Sequence, residues 1–93
     1  MILLADSGST KTSWCVSGSG NTKKFYSTSG INPFFRKTEN IVDELQRDLV
    51  PKIKGTIEGI YFYGAGIVNE EKASVIKNAL STLFPGALLQ VES

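Results

Sequence analysis

The chain has 93 residues, of which 41% are hydrophobic and 20% charged, and this balance predicts one globular domain rather than a disordered chain. Ten basic and nine acidic residues give a net charge of +1, which argues against a nucleic-acid-binding protein. With no histidine and one cysteine, Cys15, a zinc site of His and Cys ligands and a histidine-dependent catalytic set are not expected. No export signal and no membrane span are recognisable, so a cytoplasmic location is expected.

The first third of the chain predicts three strands. Met1–Ala5 is a short apolar run, typical of a strand that is buried on both faces. Ser13–Val16 predicts a second strand, which the small polar segment 17–21 ends. Lys23–Ser29 predicts a third strand with two aromatic residues. Because both connections are short, these three strands are expected to form an antiparallel meander.

The hydrophobic period then changes to that of helices alternating with strands. Thr38–Ile53 predicts an amphipathic helix with Thr38 as its N-cap, with an earlier end at Pro51 as the alternative, and Asn69–Phe84 predicts a second helix. The strand Glu58–Tyr63 lies between them, and Ala87–Val91 predicts a last buried strand. The order β-β-β-α-β-α-β predicts a mixed α/β sheet that resembles the ribonuclease H-like arrangement, without the helix that usually follows the last strand.

The residues with the most chemical content follow the first strand. Glycine lets the backbone approach a ligand closely, and successive exposed amides form an anion-binding concavity. A carboxylate beside such a turn suits a magnesium ion. The candidate cofactor-binding residues are Asp6, Gly8, Ser9, Thr10, Lys11 and Thr12, with Asp6 also the candidate metal ligand. An ordinary hairpin turn capped by its aspartate remains the alternative from these residues alone.

The string Asp6-Ser7-Gly8-Ser9-Thr10-Lys11-Thr12 lacks the glycine spacing of P-loop and Rossmann motifs, and a strand rather than a helix follows it. It resembles the first phosphate motif of the actin/hexokinase/Hsp70 ATPase superfamily. The similarity is greatest to its N-acetylglucosamine kinase-like branch, grouped with the BadF/BadG/BcrA/BcrD ATPases, where the motif is D-G-G-G-T-K-T. Ser7 and Ser9 stand where that pattern has glycine. The resemblance implies ATP and Mg²⁺ as cofactors.

Two further motifs carry the resemblance. In the sugar kinases of this group, a Gly-x-Asn after the third strand places its amide on sugar hydroxyls, which implies Asn32 as a substrate ligand. The residues Gly64, Ala65 and Gly66 follow the fourth strand and resemble the small-residue turn that lines the family's cleft. From the residues alone, a turn at Asn32-Pro33 and a plain strand-to-helix connection at 64–66 stay open.

The resemblance also implies parts that the 93 residues do not contain. The family's general base is an aspartate expected just beyond Ser93, so no catalytic residue is expected in this chain, and Glu92 is not the base. The second phosphate motif and the adenosine motif belong to a second lobe. Residues 1–93 are therefore expected to be the N-terminal ATPase domain of a two-lobe kinase for N-acetylglucosamine or a related amino sugar, inactive alone.

The expected partners are a small-molecule sugar, a nucleotide and the C-terminal lobe, with no nucleic acid and no membrane; a homodimer is left open. A nuclease is disfavoured because strand Glu58–Tyr63 supplies no carboxylate to a two-metal site at its end. An activator ATPase of a 2-hydroxyacyl-CoA dehydratase system shares the first motif but needs cluster cysteines, and Cys15 is typical of a core residue. A non-enzymatic interaction domain is the third alternative, suggested by the short length.

Overall fold

Five strands form one mixed sheet, and two helices pack on one of its faces. The computed structural model describes residues 1–93. The elements are β1 (Ile2–Ser7), β2 (Lys11–Ser17), β3 (Lys23–Ser29), α1 (Thr38–Asp48), β4 (Gly59–Gly64), α2 (Glu70–Leu83) and β5 (Leu88–Glu92). The sheet order is β3-β2-β1-β4-β5, with β2 antiparallel to β1 and β3, and β4 parallel to β1 and β5. The predicted element order and mixed α/β sheet are confirmed.

The helices differ from their predicted bounds for local reasons. The first was predicted to reach Ile53 but ends at Asp48, and Pro51 lies in a separate 3₁₀ turn. Proline has no amide to continue the helical hydrogen-bond pattern. Thr38 was predicted as the N-cap, yet its hydroxyl donates to the Val75 carbonyl of α2 at 3.0 Å. Asn69 does cap α2, accepting from the Lys72 amide at 2.9 Å. Neither helix has the length and apolarity needed to cross a membrane.

The hydrophobic core lies between the sheet and the helices. Trp14 on β2 and Phe62 on β4 are its largest side chains, with ring centroids 6.1 Å apart and planes tilted by 59°. Such tilted aromatic pairs bury large apolar areas in a favourable geometry. The core residues of α1 and α2 are Ile41, Leu45, Ala73, Ile76, Ala79 and Leu80. The core fixes the sheet and therefore the positions of the loops at its edge.

The opposite face of the sheet carries no helix. Its exposed apolar side chains include Leu4, Phe25, Tyr61, Tyr63 and Leu88. The first strand was predicted to be buried on both faces, but Leu4 is 41% exposed; in β5, only Val91 is buried. A strand is buried on both faces only when structure covers both, and here both helices lie on the same side. These residues form what we call the open face.

Candidate functional site

The β1–β2 hairpin ends in a short exposed turn. Ser7 is the last residue of β1 and Lys11 the first of β2, so Gly8, Ser9 and Thr10 form the connection. The Gly8 amide donates to the Lys11 carbonyl at 2.8 Å, which closes the turn. The amides of Ser9 and Thr10 donate to no protein acceptor, and both residues are exposed. Two consecutive amides are therefore free to donate to an anion.

Asp6 lies beside this turn on the open face. It is paired with Ser13 of β2 on one side and Tyr63 of β4 on the other, and it is exposed. Lys11 is exposed as well. Nowhere in the structure do three acidic, histidine or cysteine side chains lie close enough together to hold a metal ion. A magnesium ion at Asp6 would therefore take its other ligands from phosphate oxygens and water. A single exposed carboxylate fits that type of magnesium site.

Thr12 occupies a different position from the rest of its motif. Its side chain is fully buried, and its hydroxyl donates to the Ser29 carbonyl at 2.9 Å. It also lies 2.7 Å from the hydroxyl of Ser7, which is 3% exposed. The Thr12 hydroxyl is therefore engaged inside the protein, beneath the turn, whereas Ser9 and Thr10 face solvent.

Asn32 is held in a tight turn of the loop between β3 and α1. Its Oδ1 accepts from the Phe34 amide at 2.9 Å, and its main-chain carbonyl accepts from the Phe35 and Arg36 amides at 2.9 and 3.1 Å. The side-chain Nδ2 has no protein acceptor, and the residue is half-buried. Sequence reasoning assigned Asn32 both donor and acceptor roles; in the structure the oxygen is occupied and the NH₂ group is free.

Close backbone contacts bring the three motifs together at the carboxyl edge of β1 and β4. A Cβ added to Gly30 would lie 2.5 Å from the Ser9 carbonyl oxygen. A Cβ added to Gly66 would lie 2.9 Å from Asn32 Cγ. The Ala65 amide donates to the Ser7 carbonyl at 3.1 Å. Ligands of open α/β sheets bind outside the carboxyl ends of strands, so these contacts assemble a site where one is expected.

Gly64 packs beneath this edge of the sheet and is not part of its surface. It is buried, and a Cβ there would lie 2.8 Å from the Phe62 ring and 3.3 Å from Ser7 Cβ. Ala65 is exposed and Gly66 is half-buried. Within the 64–66 turn, Ala65 and Gly66 are therefore the residues that a ligand could contact.

An ion pair braces the loop that carries Asn32. Arg36 Nη1 lies 2.6 Å from Glu44 Oε1, and their side chains are 15% and 12% exposed. Arg36 also donates to the Gly30 carbonyl at 3.2 Å, and the Ser29 hydroxyl donates to Glu44 at 2.7 Å. Burial raises the pKa of Glu44, but the hydrogen bonds from the Ser29 hydroxyl and amide and the charge of Arg36 outweigh it. The pKa of Glu44 is therefore lowered.

Neither the Arg36–Glu44 ion pair nor the buried position of Ser7 beneath the hairpin turn was predicted from the sequence. Arg36 and Glu44 pair across a loop and a helix, and no fixed spacing signals such a contact. Ser7 and Thr12 are paired in the hairpin and both face the core, where a hydroxyl needs a hydrogen-bond partner.

The largest groove of the molecule is elsewhere. Its volume is about 510 Å³, and its lining includes Pro33, Phe35, Lys37 and Lys72. None of the predicted site residues lines this groove. The hairpin turn and Asn32 instead lie on an open edge. This arrangement is that of one wall of a cleft rather than an enclosed pocket.

The mixed five-stranded sheet with its two helices has the fold of the N-terminal lobe of a kinase-like protein. In particular, the chain is similar to the crystal structure of a candidate N-acetylglucosamine kinase from Porphyromonas gingivalis, with a TM-score of 0.87 and 38% identity. The match covers 99% of this chain and 34% of that protein, so the chain spans about a third of the solved structure's length. No protein-family model and no curated protein matches the chain.

Proposed function

We propose that the chain is the N-terminal lobe of an ATP-dependent sugar kinase whose substrate is N-acetylglucosamine or a related amino sugar. The observation that carries the proposal is the match over 99% of the chain, at 38% identity, to a candidate N-acetylglucosamine kinase. The meeting of the three predicted motifs at one edge of the sheet supports it.

The hairpin turn suits the phosphate end of a nucleotide. The free amides of Ser9 and Thr10 would donate to phosphate oxygens, and Lys11 would add a positive charge beside them. The carboxylate of Asp6 would repel phosphates unless a cation stood between them. A magnesium ion held at Asp6 would neutralise phosphate charge when bound. Nucleotide binding is therefore expected to require magnesium.

The Asn32 loop suits a polyhydroxylated ligand. The free Nδ2 group would donate to a sugar hydroxyl, while Oδ1 stays engaged with the Phe34 amide and keeps the side chain oriented. Gly66 lies directly against this side chain, where a larger residue would collide with it. Because Nδ2 can only donate, the sugar hydroxyl that it contacts acts as the acceptor.

Turnover needs parts that this chain does not supply. Phosphoryl transfer depends on positioning and charge stabilisation from both walls of a cleft, and the resemblance assigns the general base to an aspartate after Ser93. The 93-residue chain is therefore expected to bind ligands weakly and to release no phosphate. In the parent gene, codons beyond Ser93 are expected to encode an aspartate opening a glycine- and alanine-rich helix.

Titrations of the ¹⁵N-labelled chain followed by NMR test the proposal. ATP with magnesium is expected to shift the Ser9 and Thr10 amide signals, ATP alone to shift them less, and N-acetylglucosamine to shift the Asn32 side-chain signals. Lys11→Met is expected to weaken the nucleotide response. Lys23→Met is the matched control, because Lys23 lies at the other end of the hairpin strands, in register with Ser17 and Ile2.

Two results would contradict the proposal. No response to either ligand at millimolar concentration would favour an interaction domain. Phosphate release above background by the purified chain with ATP, magnesium and amino sugars would show that the base is not missing.

A further inference from the structure

A chain of buried hydrogen bonds links the hairpin to the loop that carries Asn32. The Ile31 amide donates to Ser7 Oγ at 2.9 Å, Ser7 Oγ lies 2.7 Å from Thr12 Oγ1, and Thr12 Oγ1 donates to the Ser29 carbonyl at 2.9 Å. Either hydroxyl can donate within the Ser7–Thr12 pair, and Ser7 Oγ also lies 3.4 Å from the Ile31 carbonyl oxygen. We call this series the hydroxyl link.

The two hydroxyls of the hydroxyl link are not needed to fill buried space. Ser7 is 3% and Thr12 0% exposed, at positions where apolar residues would pack without needing partners. A buried hydroxyl costs free energy unless it is hydrogen-bonded, and no buried side-chain polar atom in the structure lacks a partner. Both outer partners, Ser29 and Ile31, belong to the backbone that leads directly to Asn32. The link therefore acts on that loop.

A second contact reinforces the same connection. Gly30 lies between the two outer partners of the link, and its backbone approaches the hairpin turn so closely that a Cβ would lie 2.5 Å from the Ser9 carbonyl oxygen and 2.6 Å from that of Gly8. Ser9 contributes one of the two free amides. A displacement of the turn would thus act on residues 29–31 through both the hydroxyl link and this contact.

We propose that Ser7 and Thr12 are positioning residues whose hydroxyl link fixes the Asn32 side chain relative to the Ser9–Thr10 turn, so that an anion bound at the turn changes the environment of Asn32. The proposal rests on the proposed function for its two ligands, and the link itself can be tested without either. Thr12 thus contributes to the site from within the protein instead of contacting phosphate.

The first measurement uses the ligand-free chain. Thr12→Val keeps the side-chain shape and removes the hydroxyl, Thr12→Ser keeps the hydroxyl, and Ser7→Ala removes the other member of the link. Ser7→Ala removes the acceptor of the Ile31 amide, so hydrogen exchange at that amide is expected to accelerate about tenfold. Thr12→Val removes the partner that holds the Ser7 hydroxyl and is expected to accelerate the same exchange by a smaller factor, whereas Thr12→Ser is expected to stay near the wild-type rate. Thr82→Val is the control, since its exposed hydroxyl bonds only within α2.

The second measurement tests the coupling with a simple probe, inorganic tripolyphosphate with magnesium. In the wild-type chain the probe is expected to shift the amide signals of Ser9 and Thr10 and also the Asn32 side-chain NH₂ signals. In Thr12→Val the shifts at the turn are expected to remain while those at Asn32 become smaller, because only the Gly30 contact still joins the two segments, and Thr12→Ser is expected to restore them. A residue with a merely structural role would weaken both responses together.

The outcomes separate the two proposals. Wild-type shifts at the turn without shifts at Asn32, or unchanged shifts at both in Thr12→Val, would overturn the coupling. No wild-type response at the turn would count against the proposed function, and the link would then be judged by Ile31 exchange alone: a wild-type rate in both Thr12→Val and Ser7→Ala would refute it. If Thr12→Val fails to fold, Ser7→Ala and Thr12→Ser supply the same comparison.

Discussion

Asn32 and Gly66 pack so closely that no side chain fits between them. A Cβ at Gly66 would lie 2.9 Å from Asn32 Cγ and closer still to Oδ1, and Gly66 has a φ of +84°. Only glycine readily meets both conditions, the left-handed backbone and the absent Cβ. Gly66, in the turn after β4, therefore holds the Asn32 side chain in place. The orientation of Asn32 thus depends on a residue that is distant in the sequence.

Gly66→Ala is expected to destabilise the chain and to displace the Asn32 side chain. The backbone strain alone costs about 1–2 kcal/mol, and the contact with Asn32 adds to it. Gly86→Ala is the matched control, because Gly86 has a φ of +89° and nothing within 4 Å of an added Cβ. Urea denaturation and the Asn32 side-chain NMR signals measure the two effects. Equal losses of stability, with unmoved Asn32 signals in Gly66→Ala, would contradict the inferred contact.

Gly30 and Gly8 make opposite predictions although they lie side by side. At Gly30 an added Cβ would approach two backbone oxygens of the turn within 2.6 Å, whereas at Gly8 it would lie 3.7 Å from the Lys11 oxygen. Gly30→Ala should therefore displace the turn or unfold the chain, as a drop in melting temperature of several degrees would show. Gly8→Ala should fold normally and weaken only the binding of magnesium–ATP. A normal melting temperature for Gly30→Ala would contradict the close approach.

Hydrophobic period and turn chemistry predicted the element order and the antiparallel meander of the first three strands, because these features depend on local sequence and on the short connections. The burial of β5 was not predictable in the same way. Leu88 and Leu89 are apolar in sequence, yet Leu88 is 81% exposed, because β5 lies at the sheet edge and no element covers the open face. Whether the second face of a strand is buried depends on the elements that pack against it, and the hydrophobic period of the strand does not specify those elements.

The site was predictable to the extent that its residues are small or lie in turns. The Asp6–Thr12 string and Asn32 both stood out in the sequence, and the structure brings their segments into contact. Which hydroxyls are free was not predictable, because it depends on strand register: Thr12 faces the core and Thr10 faces solvent. The Arg36–Glu44 ion pair was not predicted, because no sequence spacing indicates that a charged residue on a loop pairs with one on a helix.

The open face predicts self-association of the chain at high concentration. Phe25 is 73% and Leu88 81% exposed, and contiguous exposed apolar surface is a common cause of association. Sedimentation velocity should show a weight-average mass that rises with concentration, and Phe25→Lys should suppress the rise. Val68→Lys is the control, because Val68 is 67% exposed but lies on the loop before α2 rather than on the open face. A monomer at every concentration would contradict this prediction.

Glu44→Gln is expected to lower stability at neutral pH and to lose its effect in acid. Glu44 accepts hydrogen bonds from Ser29 and pairs with Arg36 while mostly buried, and hydrogen bonds to a charged group contribute about 1–3 kcal/mol. Because the pKa of Glu44 is lowered from its ordinary 4.5, this stabilisation is fully present above that value. It is lost as the pH falls through the lowered pKa, where the wild-type carboxylate takes up its proton.

The measurement is urea denaturation of wild type and Glu44→Gln at pH 7 and at successively lower pH, compared as differences so that other acid-titrating groups cancel. Asp43→Asn serves as the control, because Asp43 is exposed one position earlier on α1 and makes no hydrogen bond or ion pair in the structure. It should change stability by less than about 0.5 kcal/mol at every pH. A Glu44→Gln difference that stays constant from neutral to acid pH would mean that the carboxylate charge is not what braces the Asn32 loop.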